Sequence, residues 1–154
     1  MTDVRRLGPG DLASFREMNR LFGEVFEDPD AYGSAPPSDD YVRDLLGRDV
    51  FVALAAFDGR EMIGALAGYE LPKFEQARSE FYLYDLAVRE THRRRGVATA
   101  LIDALRTVAA ERGGWVVFVQ ADYGDEPAVA LYEKLGTRED VMHFDIAIAG
   151  GDRR

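Results

Sequence analysis

The chain has 154 residues, 47% hydrophobic and 31% charged, enough to bury the core of one globular domain. It holds no cysteine and two histidines, His92 and His143, which excludes a disulfide scaffold, a thiolate metal site and a cysteine nucleophile and leaves no basis for a histidine-rich metal centre. With 28 acidic against 19 basic side chains the net charge is −9, a field that repels phosphate backbones and suits either a cationic ligand or plain solubility. No apolar run approaches the ~20 residues of a membrane span, and the N-terminal MTDVRRLGPGDL lacks the apolar stretch of a secretory signal. The expectation is a cytoplasmic protein that binds neither nucleic acid nor membrane.

Val4–Leu7 reads as a short first strand. Asp11 starts a helix in which Leu12, Phe15, Met18, Phe22, Val25 and Phe26 recur at helical spacing. Asp28–Pro37, with three prolines and a glycine, is predicted as a loop, and Ser38-Asp39-Asp40 opens a short helix over Asp39–Leu46. Two strands follow, Val50–Phe57 and Met62–Leu71, joined as a hairpin by Asp58-Gly59. Lys73–Ser79 is a polar connection and Phe81–Val88 another strand. Gly96–Arg112 is the strongest helix, with Val97, Leu101, Ala104, Leu105 and Val108 in one stripe and Gly113-Gly114 at its end. Trp115–Ala121 is a continuous apolar run of the kind buried on both faces. A helix over Pro127–Leu135 and a last strand over Val141–Ile148 complete the order. Strand, helix, strand across residues 81 to 121 implies a parallel pair beside an antiparallel hairpin. The expected fold is a mixed α/β sheet with helices on both faces, one domain over residues 1–149, and a disordered tail, Gly150–Arg154.

The segment RETHRRRGVAT, Arg89–Thr99, places four arginines and His92 before a glycine that opens a helix. Unpaired N–H groups and the positive dipole end there make an anion site, and a glycine permits close approach. The alternative for such a cluster is a solvated loop whose arginines pair with carboxylates. Arg93-Arg94-Arg95-Gly96-Val97-Ala98 fits the pattern [Q/R]-x-x-G-x-[G/A], and Pro127–Gly136, with Tyr132, follows an apolar strand. In these two motifs and the element order the chain resembles the GNAT N-acetyltransferase superfamily. The segments VALAAFDGREMIGALAGYELPKFEQARSEFYLYDLAV, HRRRGVATALI, VQADYGDEPAVALYEKLG and REDVMHFDI resemble more specifically the type I aminoglycoside 3-N-acetyltransferases, over about residues 50 to 146.

That resemblance implies acetyl-coenzyme A as co-substrate, no metal, and acetyl transfer to an amine of a 2-deoxystreptamine ring, hence antibiotic resistance. It implies a centrally splayed sheet in which the pantetheine arm lies between Phe81–Val88 and Trp115–Ala121. Leu86, Ala87 and Val88 would bond that arm, with the Val88 N–H a candidate oxyanion donor. Arg93, Arg94, Arg95, Gly96, Val97, Ala98 and Thr99 would hold the pyrophosphate, and Ala128 and Tyr132 would contact the coenzyme. Tyr132, one turn after Ala128 on the same helical face, becomes the candidate acid.

The base is sought among Glu80, Asp85, Asp122, Asp125 and Asp145, and Asp85 is favoured because it interrupts an apolar strand, where a carboxylate is either paired or faces a polar cavity. Between Gln120 and Asp145 seven acidic residues face only Lys134 and Arg138, a patch that suits a polycation or serves solubility. Acceptor contacts are therefore assigned to Glu80, Tyr84, Asp85, Asp122, Tyr123, Asp125 and Asp145, with Tyr82 as a further candidate. His143 reads as a structural strand residue and His92 as part of the phosphate loop. The rival readings are a polyamine or peptide N-acetyltransferase and a coenzyme-A-binding module without chemistry. A homodimer is possible through the last strand.

Overall fold

A computed structural model describes residues 2–149, so the predicted tail, residues 150–154, lies outside the described residues. The chain divides into two compact units, one up to Gln120 and one from Ala121 onward.

The first unit is a five-stranded sheet in the order β1 (Asp3–Arg6), β2 (Phe51–Asp58), β3 (Glu61–Pro72), β4 (Ser79–Val88), β5 (Gly114–Val119). Neighbours are antiparallel except β4 and β5, which run parallel, as the intervening helix requires. On one face lie α1 (Leu12–Val25), α2 (Pro29–Gly33) and α3 (Asp39–Leu46). There Phe15, Met18, Leu21, Phe22, Val42 and Leu46 close over Phe51, Ala53, Ala55, Ala65 and Ala87. Small residues on the strands let the large helix side chains fill the layer between them.

The other face carries α4 (Val97–Glu111), whose buried stripe is Val97, Leu101, Ile102, Leu105 and Ala109. Gly64 makes its seat, while Gly68 is crowded by the neighbouring strand. A Cβ on Gly64 would stand 3.0 Å from Val97 and 3.3 Å from Leu101, and one on Gly68 3.0 Å from the Tyr82 carbonyl. At Gly64 the helix therefore lies so close to the sheet that a Cβ would crowd Val97 and Leu101.

Two structural features position the site. The β4–β5 ladder joins Ser79, Glu80, Phe81, Tyr82 and Leu83 to Gly114–Val119 and stops at Leu83↔Val119, so Tyr84–Val88 has β3 on one side and, among the described residues, no strand on the other. This is the expected splay. The second is a bulge: Ala67 pairs with Asp85 and Gly68 with Leu83, leaving Tyr84 as an extra residue. An extra residue shifts the alternation of everything after it. Tyr84 packs edge-on to Tyr69, Asp85 bonds Tyr32, and Ala87 joins the α1 core, so all three point to the α1–α3 face.

The second unit holds α5 (Glu126–Leu135), capped by Asp125, whose carboxylate accepts from the Ala128 N–H, and started by Pro127. Three expectations are corrected. Asp28–Pro37 is not all loop, because Asp28 caps the short α2 by accepting from the Ala31 N–H. Val141–Ile148 forms no strand: among the described residues its own unit contains one helix and no strand to pair with, and alternation without a ladder partner does not make a strand. Trp115–Ala121 is not buried on both faces either. Trp115 is 52% exposed and lies under the Arg78 guanidinium, 4.3 Å from the ring centroid.

Gly114 tests the packing where β5 begins. A Cβ there would lie 2.9 Å from the Ala109 carbonyl oxygen and 2.9 Å from the fully buried Phe81 ring. Gly114→Ala is expected to cost about 1–3 kcal/mol, read as a lower urea midpoint with an unchanged circular dichroism spectrum.

Candidate active site

The bulge sets Asp85 among phenols. The Tyr32 hydroxyl donates to its Oδ2 at 2.8 Å, and no lysine, arginine or histidine among the described residues forms an ion pair with it. Burial raises the Asp85 carboxyl above its ordinary range, and the Tyr32 hydrogen bond partly offsets that rise. Tyr84, 59% exposed, stands edge-on to Tyr69 and Tyr82 at 5.7 and 5.4 Å. Tyr82 stacks on Phe118 at 4.7 Å and donates to Gln120 Oε1 at 2.8 Å. Aromatic faces around a carboxylate that lacks a cation offer a positively charged group both π density and a charge partner.

Glu80 is not part of this group. It pairs with Lys73 at 3.6 Å near the start of β4, five residues from Asp85 and so about 16 Å along the strand.

The start of α4 differs from the other capped helix starts. Ser38, Asp28 and Asp125 cap α3, α2 and α5 with side-chain oxygens, whereas α4 begins on Gly96, which has no side chain and a φ of +78°. A Cβ on Gly96 would meet nothing within 4 Å, so there is open space at the cap itself, and the first N–H groups of this fifteen-residue helix, those of Val97, Ala98 and Thr99, stand at its positive end without a capping side chain. Arg94, itself at a φ of +63°, and Arg95 are exposed and form no ion pair among the described residues. An anion of several charges fits this end of the helix.

The other basic residues of the segment have different tasks. Arg93 Nε donates to the Val88 carbonyl at 3.2 Å, and Arg89 bonds the Met62 carbonyl at 2.9 Å and Glu24 at 2.7 Å. His92, expected in the phosphate loop, ties that segment to the β2–β3 hairpin. Its Nε2 lies 3.2 Å from Asp58 on the β2–β3 hairpin and its Nδ1 2.8 Å from Thr91, so both ring nitrogens are engaged. On the open side of β4, Leu86 and Val88 are half-buried and Ala87 is buried against the α1 face.

In the second unit Tyr132 and Ala128 are half-buried, and burial together with the nearby Asp125 charge raises the Tyr132 phenol. Asp122, Tyr123 and Asp125 are exposed, with Asp122 and Asp125 in one turn. The acidic patch is partly neutralised from within. Arg138 bonds Asp140 at 2.8 Å and Glu133 at 3.3 Å and lies over Tyr123. A hydrogen bond of 2.8 Å also joins His143 Nε2 and Asp145.

Sequence reasoning missed Tyr32, Tyr69 and Tyr41. Tyr69 sits beside Phe51 as well as Tyr84, and Tyr41 is an exposed residue of α3. The available signal for Tyr32 was the Asp28-Pro29 pair, a helix start inside an apparent loop.

Among solved structures, the chain is similar to an aminoglycoside acetyltransferase from an uncultured soil metagenomic sample: 52% identity, 96% of this chain and 99% of that one covered, TM-score 0.94. A second soil metagenomic aminoglycoside acetyltransferase, in complex with sisomicin, is 30% identical with 96% of each chain covered and a TM-score of 0.88. The N-alpha-acetyltransferase of Sulfurisphaera tokodaii is 30% identical over 96 residues, 55% of this chain, and the match spans little more than half of that relative, 58%. Residues 15–137 match the Acetyltransferase (GNAT) family, a stretch that runs from α1 through the open half of β4 and the head of α4 to the end of α5. The chain belongs to the GNAT family of acetyltransferases, which take their acetyl group from acetyl-coenzyme A.

Proposed function

We propose that the protein is an aminoglycoside 3-N-acetyltransferase that moves an acetyl group from acetyl-coenzyme A to an amine of the 2-deoxystreptamine ring and so inactivates the antibiotic. The observation that carries this reading is the 52% identity, over nearly the whole of both chains, to a soil aminoglycoside acetyltransferase. The sisomicin complex of a further relative supports the acceptor class, and the choice of the 3-amine rests on the segment resemblance over residues 50 to 146.

The residues fit the donor. In this reading the pyrophosphate sits at Gly96–Thr99, flanked by Arg94 and Arg95, and the pantetheine amides pair with the open side of Leu86–Val88. Backbone groups that β5 leaves unpaired are the natural partners for an amide-bearing chain. The acceptor arrives as an ammonium. Asp85 accepts its proton, directly or through water, and the freed nitrogen attacks the thioester carbonyl. The Val88 N–H supports the oxyanion of the tetrahedral adduct. A second proton leaves the nitrogen to solvent, the C–S bond breaks, and the thiolate takes a proton from Tyr132; solvent reprotonates Tyr132 and takes the proton from Asp85, giving an amide, free coenzyme A and one released proton. The pKa directions suit these roles. A carboxyl raised by burial is a stronger base, and a raised phenol stays protonated until a thiolate demands its proton. The tyrosines around Asp85 would hold the sugar faces, and the turn aspartates Asp122 and Asp125 would draw in a polycation.

The similarity to an N-alpha-acetyltransferase favours a second reading, a peptide amine as acceptor. Free-thiol release from acetyl-coenzyme A with sisomicin, spermidine and a short peptide as rivals separates the two. The expected result is turnover with the aminoglycoside at a kcat/KM at least tenfold above the others; preference for the peptide would replace the proposal with the second reading.

Two further outcomes follow from the roles. Asp85→Asn and Tyr132→Phe should each lower kcat by roughly 10²–10⁴-fold while the KM for acetyl-coenzyme A stays within about twofold. Gly96→Ala should weaken coenzyme A binding in calorimetry. Gly113→Ala, with a φ of +76° and equally open space at the other end of α4, should cost similar stability, about 1–2 kcal/mol, and leave binding unchanged.

A further inference from the structure

We propose that Tyr32 is the positioning residue of the acetyl transfer: its hydroxyl fixes one oxygen of Asp85 so that the other is presented to the acceptor amine. The inference rests on the assignment of Asp85 as the base.

Three separate features hold the ring. Asp28 caps α2 through the Ala31 N–H, so the five-residue helix starts at a set place. Gly23 of α1 gives α2 room to lie down: a Cβ there would stand 3.3 Å from Pro29 Cα and 3.4 Å from Tyr32 Cβ. Phe22 and Phe26, stacked on each other at 5.6 Å, flank the Tyr32 ring at 5.8 and 5.9 Å. A ring so confined delivers its hydroxyl to one point, and that point is Asp85 Oδ2, 53 residues away in sequence.

The carboxylate needs such a donor. It lies beside the bulge of β4, partly buried, bonded to Tyr32 from α2; the other titratable groups near it are the phenols of Tyr69 from β3 and of Tyr82 and its chain neighbour Tyr84 from β4, which pack on one another, with Asp28 close to Tyr32 and Tyr41 close to Tyr69. Among the described residues the Tyr32 hydroxyl is the one side-chain hydrogen bond it receives. An ionised carboxylate has acceptor capacity on both oxygens. With Oδ2 bonded to a fixed phenol the carboxylate plane is set, and Oδ1 retains its full capacity for an N–H of the acceptor. Burial and the neighbouring Asp85 charge push the Tyr32 phenol well above its ordinary value, so it remains a donor throughout the working pH range.

The direction of the effect follows. A donor to the charged form favours ionisation, so removing it moves the Asp85 titration to higher pH and leaves less carboxylate at a given acidic pH. In Tyr32→Phe, which keeps the aromatic packing, the Asp85 carboxyl should titrate at higher pH by carbon NMR, its signal identified by its loss in Asp85→Asn. The acidic limb of kcat/KM should move with it: about tenfold lower activity on that limb, near wild-type activity on the alkaline plateau, and an unchanged KM for acetyl-coenzyme A. Replacing Tyr32 by 3-fluorotyrosine, a more acidic and stronger donor, should move both in the opposite direction, and it provides the test if the Phe variant does not fold.

A carboxyl titration that stays put in the folded variants reduces Tyr32 to a packing residue and overturns the proposal, as does a titration that moves while the acidic limb does not. In that last case Asp85→Asn assigns the fault. Wild-type kcat there removes Asp85 as the base as well, whereas a large loss of kcat leaves Asp85 in place and removes Tyr32 alone.

Discussion

The molecule is organised by a ladder that stops halfway. Strand β4 is bonded to β3 along its whole length but to β5 only as far as Leu83, and every feature of chemical interest follows from the five residues beyond that point. Backbone N–H and C=O groups inside a protein require partners, so a half-paired strand under two layers of helix is either a defect or a place for something that completes it. The parallel pairing and the crossover helix make the geometry consistent: α4 must begin just past the end of β4, and so its N-terminus opens beside the same unpaired stretch. A strand that lacks a neighbour and a helix that lacks a capping side chain therefore occur together, one suited to amides and the other to phosphates.

The second constraint is the bulge at Tyr84. Without it Asp85 would fall in line with Phe81 and Leu83, which are fully buried. A carboxylate in that position would pay the full cost of burial without a partner. With the bulge it turns to the tyrosine-lined α1–α3 face, where it meets Tyr32. One inserted residue thus converts an untenable core acid into a carboxylate that is desolvated enough to be basic and still held by one hydrogen bond.

Much of this was legible in the residues. The Asp58-Gly59 hairpin, α3 with its Ser38 cap, α4 with its apolar stripe and the parallel β4–β5 pair all follow from local rules that tertiary packing does not override. Asp85 stood out because a charge interrupts an apolar strand. Elements that depend on partners distant in sequence were not legible. Val141–Ile148 alternates like a strand, but alternation records only which side chains are apolar, not whether a ladder exists. Asp28–Pro37 looked like a loop because prolines break long helices, whereas one proline after a capping aspartate starts a short one. Tyr32 followed from that misreading: its role depends on a notch at Gly23 and a bulge in β4, both of which arise from pairing. The partner of His92, Asp58, lies on the β2–β3 hairpin, which adjacency to the arginines does not reveal.

The most direct test of this account is amide hydrogen exchange across β4 with and without coenzyme A. If the donor completes the sheet, amides of Tyr84–Val88 that do not face β3 should slow markedly on binding, while those of Ser79–Leu83, already paired with β5, should change little. Binding that leaves the exchange of Tyr84–Val88 unaltered would contradict it, because the coenzyme would then lie somewhere other than along the open half of the strand.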